Sequence, residues 1–190
     1  KTTLVINYIA DFLKENIYSN IGLAAPTGKA TSRLKDAIDS QLINYDSKKE
    51  FIDSQTLHSW IDNSRFKLDK LKFKLNELDI LIIDEMSMVN FEIFELTLNL
   101  ISDDCKLILL GDPNQLPPVN SCSIWNYIFE DNNFKSFQEV TLNLKKIYRN
   151  SGEIIDLSKS IMTNSSFLLN KQLDIINRNN SSNVSIFKTN

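Results

Sequence analysis

Two successive carboxylates, Asp84 and Glu85, leave the apolar run Ile80-Leu81-Ile82-Ile83. A short run rich in β-branched residues suits a strand buried on both faces of a parallel sheet. Acids at its carboxyl end fall on the rim where open α/β sheets bind nucleotides. There the first carboxylate can hold Mg²⁺ and the second can orient the water that attacks a phosphoryl group. An acidic surface turn uses the same two residues, but the four apolar positions before them favour the rim.

The second chemical segment is Gly111-Asp112-Pro113-Asn114-Gln115-Leu116-Pro117-Pro118-Val119, which follows another apolar run. Gln115 carries both a donor and an acceptor, so it can sense a terminal phosphate without titrating. Three prolines stiffen the segment for passing on a small displacement. A proline-rich turn explains the prolines but not the Gly-Asp-x-x-Gln order. Upstream, Ala25-Pro26-Thr27-Gly28-Lys29-Ala30 passes from an apolar run into a helical pattern. Its free N–H groups, Thr27 and Lys29 suit a phosphate, from a nucleotide or a nucleic-acid backbone. Capping of the helix by Thr27 accounts for the same residues without a ligand.

Weaker signals surround these. Lys1-Thr2 opens the chain ahead of a helix, and a phosphate-binding loop ends in Gly-Lys-Ser/Thr, whose lysine reaches the phosphates and whose hydroxyl binds Mg²⁺. The glycines are not in this sequence, so the pair has little weight alone. Thr56-Leu57-His58 precedes Trp60. No serine or cysteine is arranged around His58 to need a catalytic base, and Trp60 reads as core rather than as a base-stacking platform. Arg65-Phe66-Lys67-Leu68-Asp69-Lys70-Leu71-Lys72-Phe73-Lys74, within the basic segment 62–78, interleaves cations and apolar residues. It reads as a solvated two-stranded excursion, with contact to single-stranded nucleic acid as the alternative. Arg149, in Ile147-Tyr148-Arg149, can stabilise charge on a transferring γ-phosphoryl group or serve as an ion-pair residue.

These residues need a scaffold. Leu4, Val5, Tyr8, Ile9, Phe12 and Leu13 form one helical stripe, and Ala30, Leu34, Ala37, Ile38 and Leu42 a second. Phe91, Phe94, Leu98 and Ile101 form a third, and Glu153–Met162 reads as a further helix. Strands are expected at Ile21–Ala25, Ile80–Ile83, Leu107–Leu110 and Val140–Leu144. Alternation of this kind predicts the α/β class, a parallel sheet with helices on both faces. From about Thr163 the pattern dissolves into Asn- and Ser-rich sequence.

Composition agrees. With 42% hydrophobic and 24% charged residues among 190, a packed core is expected. A net charge of −3 excludes a protein that coats nucleic acid by bulk charge. Two cysteines and one histidine are too few for a structural zinc site or a disulfide scaffold. No apolar run approaches the ~20 residues that span a bilayer, so a soluble cytoplasmic protein with no membrane contact is expected.

The order of the motifs says more than any one of them. Lys-Thr, Ala-Pro-Thr-Gly-Lys-Ala, Thr-Leu-His, Asp-Glu-Met-Ser-Met, Gly-Asp-x-x-Gln-Leu-Pro-Pro-Val and Tyr-Arg resemble, in sequence, motifs I, Ia, Ib, II, III and IV of a superfamily 1 DNA helicase. The Thr-Leu-His and Asp-Glu-x-Ser-Met forms are similar to RecD-type helicases, the exodeoxyribonuclease V alpha subunits. The resemblance covers roughly Lys1 to Met162. It implies a RecA-like P-loop NTPase domain over residues 1–150, with 151–190 leading towards a second motor domain. It also implies ATP and Mg²⁺ as cofactors, 5′-to-3′ movement on single-stranded DNA, and nuclease/helicase and scaffold subunits as partners in recombination and repair.

On that resemblance Lys1 contacts the phosphates, Thr2 and Asp84 hold Mg²⁺, and Glu85 positions the water. Gln115 and Arg149 meet the γ-phosphate, while Pro26, Thr27, Lys29, Thr56 and His58 line the DNA path. The glycines of motif I and all of motifs V and VI are absent, so the segment alone is expected to be a poor ATPase. The competing readings are an RNA-directed helicase and a non-catalytic docking domain.

Overall fold

The expected β-branched run is the middle of a sheet. A computed structural model describes residues 2–15, 19–41, 50–66, 72–112, 115, 117–118, 124–130, 139–144, 153–162, 168, 170–171 and 173. Its strands are β1 (Ile21–Ala25), β2 (Ile52–Thr56), β3 (Ile80–Ile83) and β4 (Lys106–Leu109), in the spatial order β2-β1-β3-β4. Every neighbouring pair is parallel, with Leu23 opposite both Ser54 and Ile82, and Ile82 opposite Ile108. The helices are α1 (Thr2–Glu15), α2 (Gly28–Gln41), α3 (Leu57–Phe66), α4 (Phe91–Leu100), α5 (Ile124–Glu130) and α6 (Glu153–Met162). The chain divides into two units, Lys1–Thr141 and Leu142–Asn190. The second contains α6, where the Ser160 hydroxyl donates to the Asp156 carbonyl at 2.7 Å.

Alternation along the strands sends side chains to two separate cores. On one face Ile21, Leu23, Ile80 and Ile82 pack with Val5, Ile6, Ile9 and Leu13 of α1 and with Leu34 and Ile38 of α2. On the other, Ala24, Leu81 and Ile83 pack with α3, α4 and α5 through Trp60, Phe94 and Trp125. The two central strands are buried at every position. At ~1.5–3 kcal/mol for each large apolar side chain, this burial is what fixes the sheet. Trp60 is a core residue, 0% exposed, and its indole N–H donates to the Leu23 carbonyl at 3.0 Å.

Three expectations change. Val140–Leu144 is not a strand: Val140 and Leu142 are 81% and 70% exposed, and the segment pairs with no strand among the described residues. In the basic segment, Arg65 and Phe66 close α3 and Leu75–Glu77 forms a 3-10 turn, so the described part contains no two-stranded excursion. Residues 67–71 lie outside the described residues. Finally, β2 is an additional strand. Its sequence Ile-Asp-Ser-Gln-Thr has one apolar residue because it lies at the sheet's border, half-buried throughout.

Candidate nucleotide site

The parallel sheet brings the chemical residues to one edge. Pro26 follows β1, Thr56 ends β2, Asp84 and Glu85 follow β3, and the segment reaching Gln115 follows β4. All therefore leave the carboxyl ends of adjacent strands, the ligand-binding edge of open α/β sheets.

The acidic pair is built into the sheet by its backbone. The Asp84 N–H donates to the Ala24 carbonyl at 2.9 Å, and the Met86 N–H donates to the Leu110 carbonyl at 2.9 Å. Glu85 is held between these anchors at φ 55, ψ 40, in the left-handed region. No other non-glycine residue among those described has positive φ. Its N–H donates to Asp84 Oδ1 at 2.8 Å, and both side chains are half-buried. From Glu85 the chain enters the 3-10 turn Met86–Met88, in which Ser87 is 1% exposed.

Gln115 comes back to this turn. The Ser87 hydroxyl donates to Gln115 Oε1 at 3.4 Å, and the Gln115 N–H donates to the Asp112 carbonyl at 3.1 Å. The glutamine thus meets the turn that follows the acidic pair, at a residue 28 positions earlier in sequence. Ser87 stands inside Asp-Glu-Met-Ser-Met, yet sequence reasoning gave it no role. Its small size and polarity at a buried position are the signal that was available.

Thr2 opens α1, whose far end lies near the start of β4. The Lys106 ammonium, at the start of β4, lies 5.0 Å from the centre of the Phe12 ring near the end of α1. A helix rises 1.5 Å per residue, so Thr2 stands about 15 Å along α1 from Phe12. Lys1 and Arg149 lie outside the described residues.

The expected nucleic-acid residues divide by what their side chains already do. Thr27 Oγ1 accepts the Ala30 N–H at 3.3 Å, and Thr56 Oγ1 accepts the Ser59 N–H at 3.2 Å, so both hydroxyls cap helices. Lys29 and His58 are exposed. Pro26 and His58 share a shallow depression with Met88, Asn90, Ile93 and Pro118. Among the described residues no group of three or more His, Cys, Asp or Glu side chains could hold a metal ion. A magnesium ion does not require one, because it keeps several waters and binds through one or two carboxylates plus substrate phosphates. The hard oxygen donors of Asp84 and Thr2 fit that demand.

A parallel α/β sheet that projects an Asp-Glu pair from one strand and a Gly-Asp-x-x-Gln segment from its neighbour defines a RecA-like P-loop NTPase domain. Comparison with known proteins makes this specific. A family model described as an AAA domain matches residues 1–121, and the chain belongs to that family. The RecBCD enzyme subunit RecD of Buchnera aphidicola subsp. Acyrthosiphon pisum is 32% identical over 188 residues, covering 94% of this chain and 30% of that protein. Its counterpart from Buchnera aphidicola subsp. Schizaphis graminum is 38% identical over 138 residues, covering 67% of this chain and 23% of the relative. The Pif1 helicase from Candida albicans matches in structure at a TM-score of 0.42 with 22% identity, covering 84% of this chain and 43% of that one. The RecD relatives bear out the RecD-type superfamily 1 resemblance read from the motifs. The chain spans less than a third of the length of either RecD relative. No helix among the described residues is long and apolar enough to cross a membrane.

Proposed function

We propose that this chain is the first motor domain of an ATP-dependent DNA helicase of the RecD type, moving 5′ to 3′ on single-stranded DNA. The observation that carries the reading is the contact of Gln115 with Ser87, two residues past the Asp84-Glu85 pair at the carboxyl end of β3. An acid that binds metal, an acid that aligns water and an amide that meets the terminal phosphate are the parts phosphoryl transfer requires. The motor domain runs over residues 1–150, with 151–190 leading towards a second motor domain, and the whole acts with nuclease/helicase and scaffold subunits in the cytoplasm.

In this reading Lys1 and Thr2 meet the phosphates, and Thr2 and Asp84 hold Mg²⁺. When bound, the ion neutralises charge developing on the phosphate oxygens. Glu85 accepts a hydrogen bond from the attacking water and aligns it, since its backbone is fixed on both sides. Gln115 donates to the γ-phosphate, and Arg149 stabilises the charge that spreads over it. Lys29 and His58, exposed on the same edge, contact the nucleic-acid strand with Pro26, Thr27 and Thr56. Phosphate contacts dominate there, because a translocating motor must not prefer one sequence.

The test is ATP turnover by the full-length protein with single-stranded DNA, single-stranded RNA or neither, alongside Glu85→Gln. Stimulation by DNA, lost by a factor of about 100 or more in the variant, is expected. Stimulation by RNA alone selects an RNA helicase, and turnover unchanged by Glu85→Gln leaves a docking domain.

A further inference from the structure

Gln115 is useful to a phosphate in only one of its two amide orientations. Phosphate oxygens accept hydrogen bonds and do not donate them, so the amide must present its NH₂ group and turn its Oε1 elsewhere. An exposed glutamine has no preference between the two. In the structure the Ser87 hydroxyl donates to Oε1 at 3.4 Å, which turns the NH₂ group away from the serine.

Ser87 is well placed to hold that orientation. Its side chain is 1% exposed, and the 3-10 turn that carries it is anchored at its start and closed by its own bonds. The Met86 N–H donates to the Leu110 carbonyl at 2.9 Å, the Met88 N–H to Glu85 at 2.9 Å and the Val89 N–H to Met86 at 3.1 Å. Gln115, by contrast, is exposed and tethered through its own N–H to Asp112. One partner is buried and the other exposed. At 3.4 Å the contact is long for a hydroxyl donor, which suits a bond that tightens once nucleotide draws the glutamine in.

We infer that Ser87 is a positioning residue, holding the Gln115 amide with its NH₂ group towards the terminal phosphate and coupling that amide to the Glu85 turn. The inference rests on the role proposed above for Gln115. In this inference Ser87 acts on substrate through the glutamine.

A double-mutant cycle in the full-length protein separates this from a packing role. Ser87→Ala, Gln115→Ala and the pair are assayed for DNA-stimulated ATP turnover, with a thermal melt for each. Ser87→Ala is expected to lower kcat about tenfold while KM for ATP stays within about twofold. In the Gln115→Ala background it should add less than about a twofold further loss, because the interaction is already gone. Wild-type kcat in Ser87→Ala overturns the inference. So does a loss of the same factor in both backgrounds, which marks Ser87 as structural support alone. Wild-type turnover in Gln115→Ala defeats the role of the glutamine and takes this inference with it. Should Ser87→Ala fail to fold, Ser87→Cys keeps the volume with a much weaker donor and carries the same cycle.

Discussion

At the scale of single residues, Glu85 is the position where stability and chemistry pull apart. A left-handed conformation costs a non-glycine residue ~1–2 kcal/mol, and φ 55, ψ 40 is held by the bonds made by Asp84 and Met86 on either side. Glu85→Gly should therefore raise the melting temperature by a few degrees, since the favourable left-handed backbone outweighs glycine's entropy cost of ~0.5–1 kcal/mol. The same change should abolish ATP turnover. A lowered melting temperature would show that the carboxylate itself stabilises the fold. Cys105 gives a second prediction. Burial pushes its thiol up from 9.0 to about 11, the backbone hydrogen bond of Leu81 opposes this, and the charge of Asp79 adds to it. The thiolate is the nucleophile, so Cys105 in a Cys122→Ser variant should alkylate with iodoacetamide about 100-fold more slowly at pH 8 than a free cysteine. The rate should climb until about pH 11. The folded state favours the protonated thiol, so its contribution to stability is complete below pH 9 and is lost as pH rises from 9 to 11. An alkylation rate that levels off near pH 9 would contradict the assignment.

At the scale of elements, the segment after β4 is positioned by one missing side chain. A Cβ on Gly111 would come within 2.7 Å of the Trp125 ring, which α5 packs into the core. Gly111→Ala must therefore shift either the indole or the segment carrying Asp112 and Gln115. The expected result is a loss of stability of ~1–3 kcal/mol, measured by urea denaturation, together with a drop in ATP turnover comparable to that of Gln115→Ala. Unchanged turnover would mean that α5 yields instead. This contact also shows how far the sequence could be read. Ile80–Ile83 and Ile21–Ala25 were legible because strands buried on both faces must be continuously apolar. The stripes of α1, α2 and α4 were legible because amphipathic helices repeat. β2 was hidden, since a half-buried border strand has no such pattern and Ile-Asp-Ser-Gln-Thr resembles a turn. Val140–Leu144 misled for the opposite reason: it alternates like a strand, but alternation does not supply a partner. At the site, the residue types after each strand were readable in order. The Ser87–Gln115 contact was not, because it depends on the return of a long segment to a turn 28 residues earlier.

At the scale of the whole molecule, the question is where the folding unit ends. Among the described residues, both apolar clusters are assembled between Val5 and Ile128, on the two faces of one sheet. The unit Lys1–Thr141 contains all of these described residues. The boundary between the two units falls there, and Leu142 and Leu144 just past it are exposed by 70% and 53%. A chain ended at Thr141 should then keep a cooperative melt, with a melting temperature within about 5 °C of the 190-residue chain. It should also keep Ser87 protected from solvent, read as slow amide exchange across Asp84–Val89. The alternative is that segments after Thr141 are needed to close the core. In that case the shortened chain would melt without cooperativity and expose apolar surface to a dye such as ANS. The distinction bears on function, because Asp84, Glu85, Ser87 and Gln115 all lie within the shorter chain while Arg149 does not. If the shorter chain folds, the acidic turn and its glutamine form a preassembled half-site.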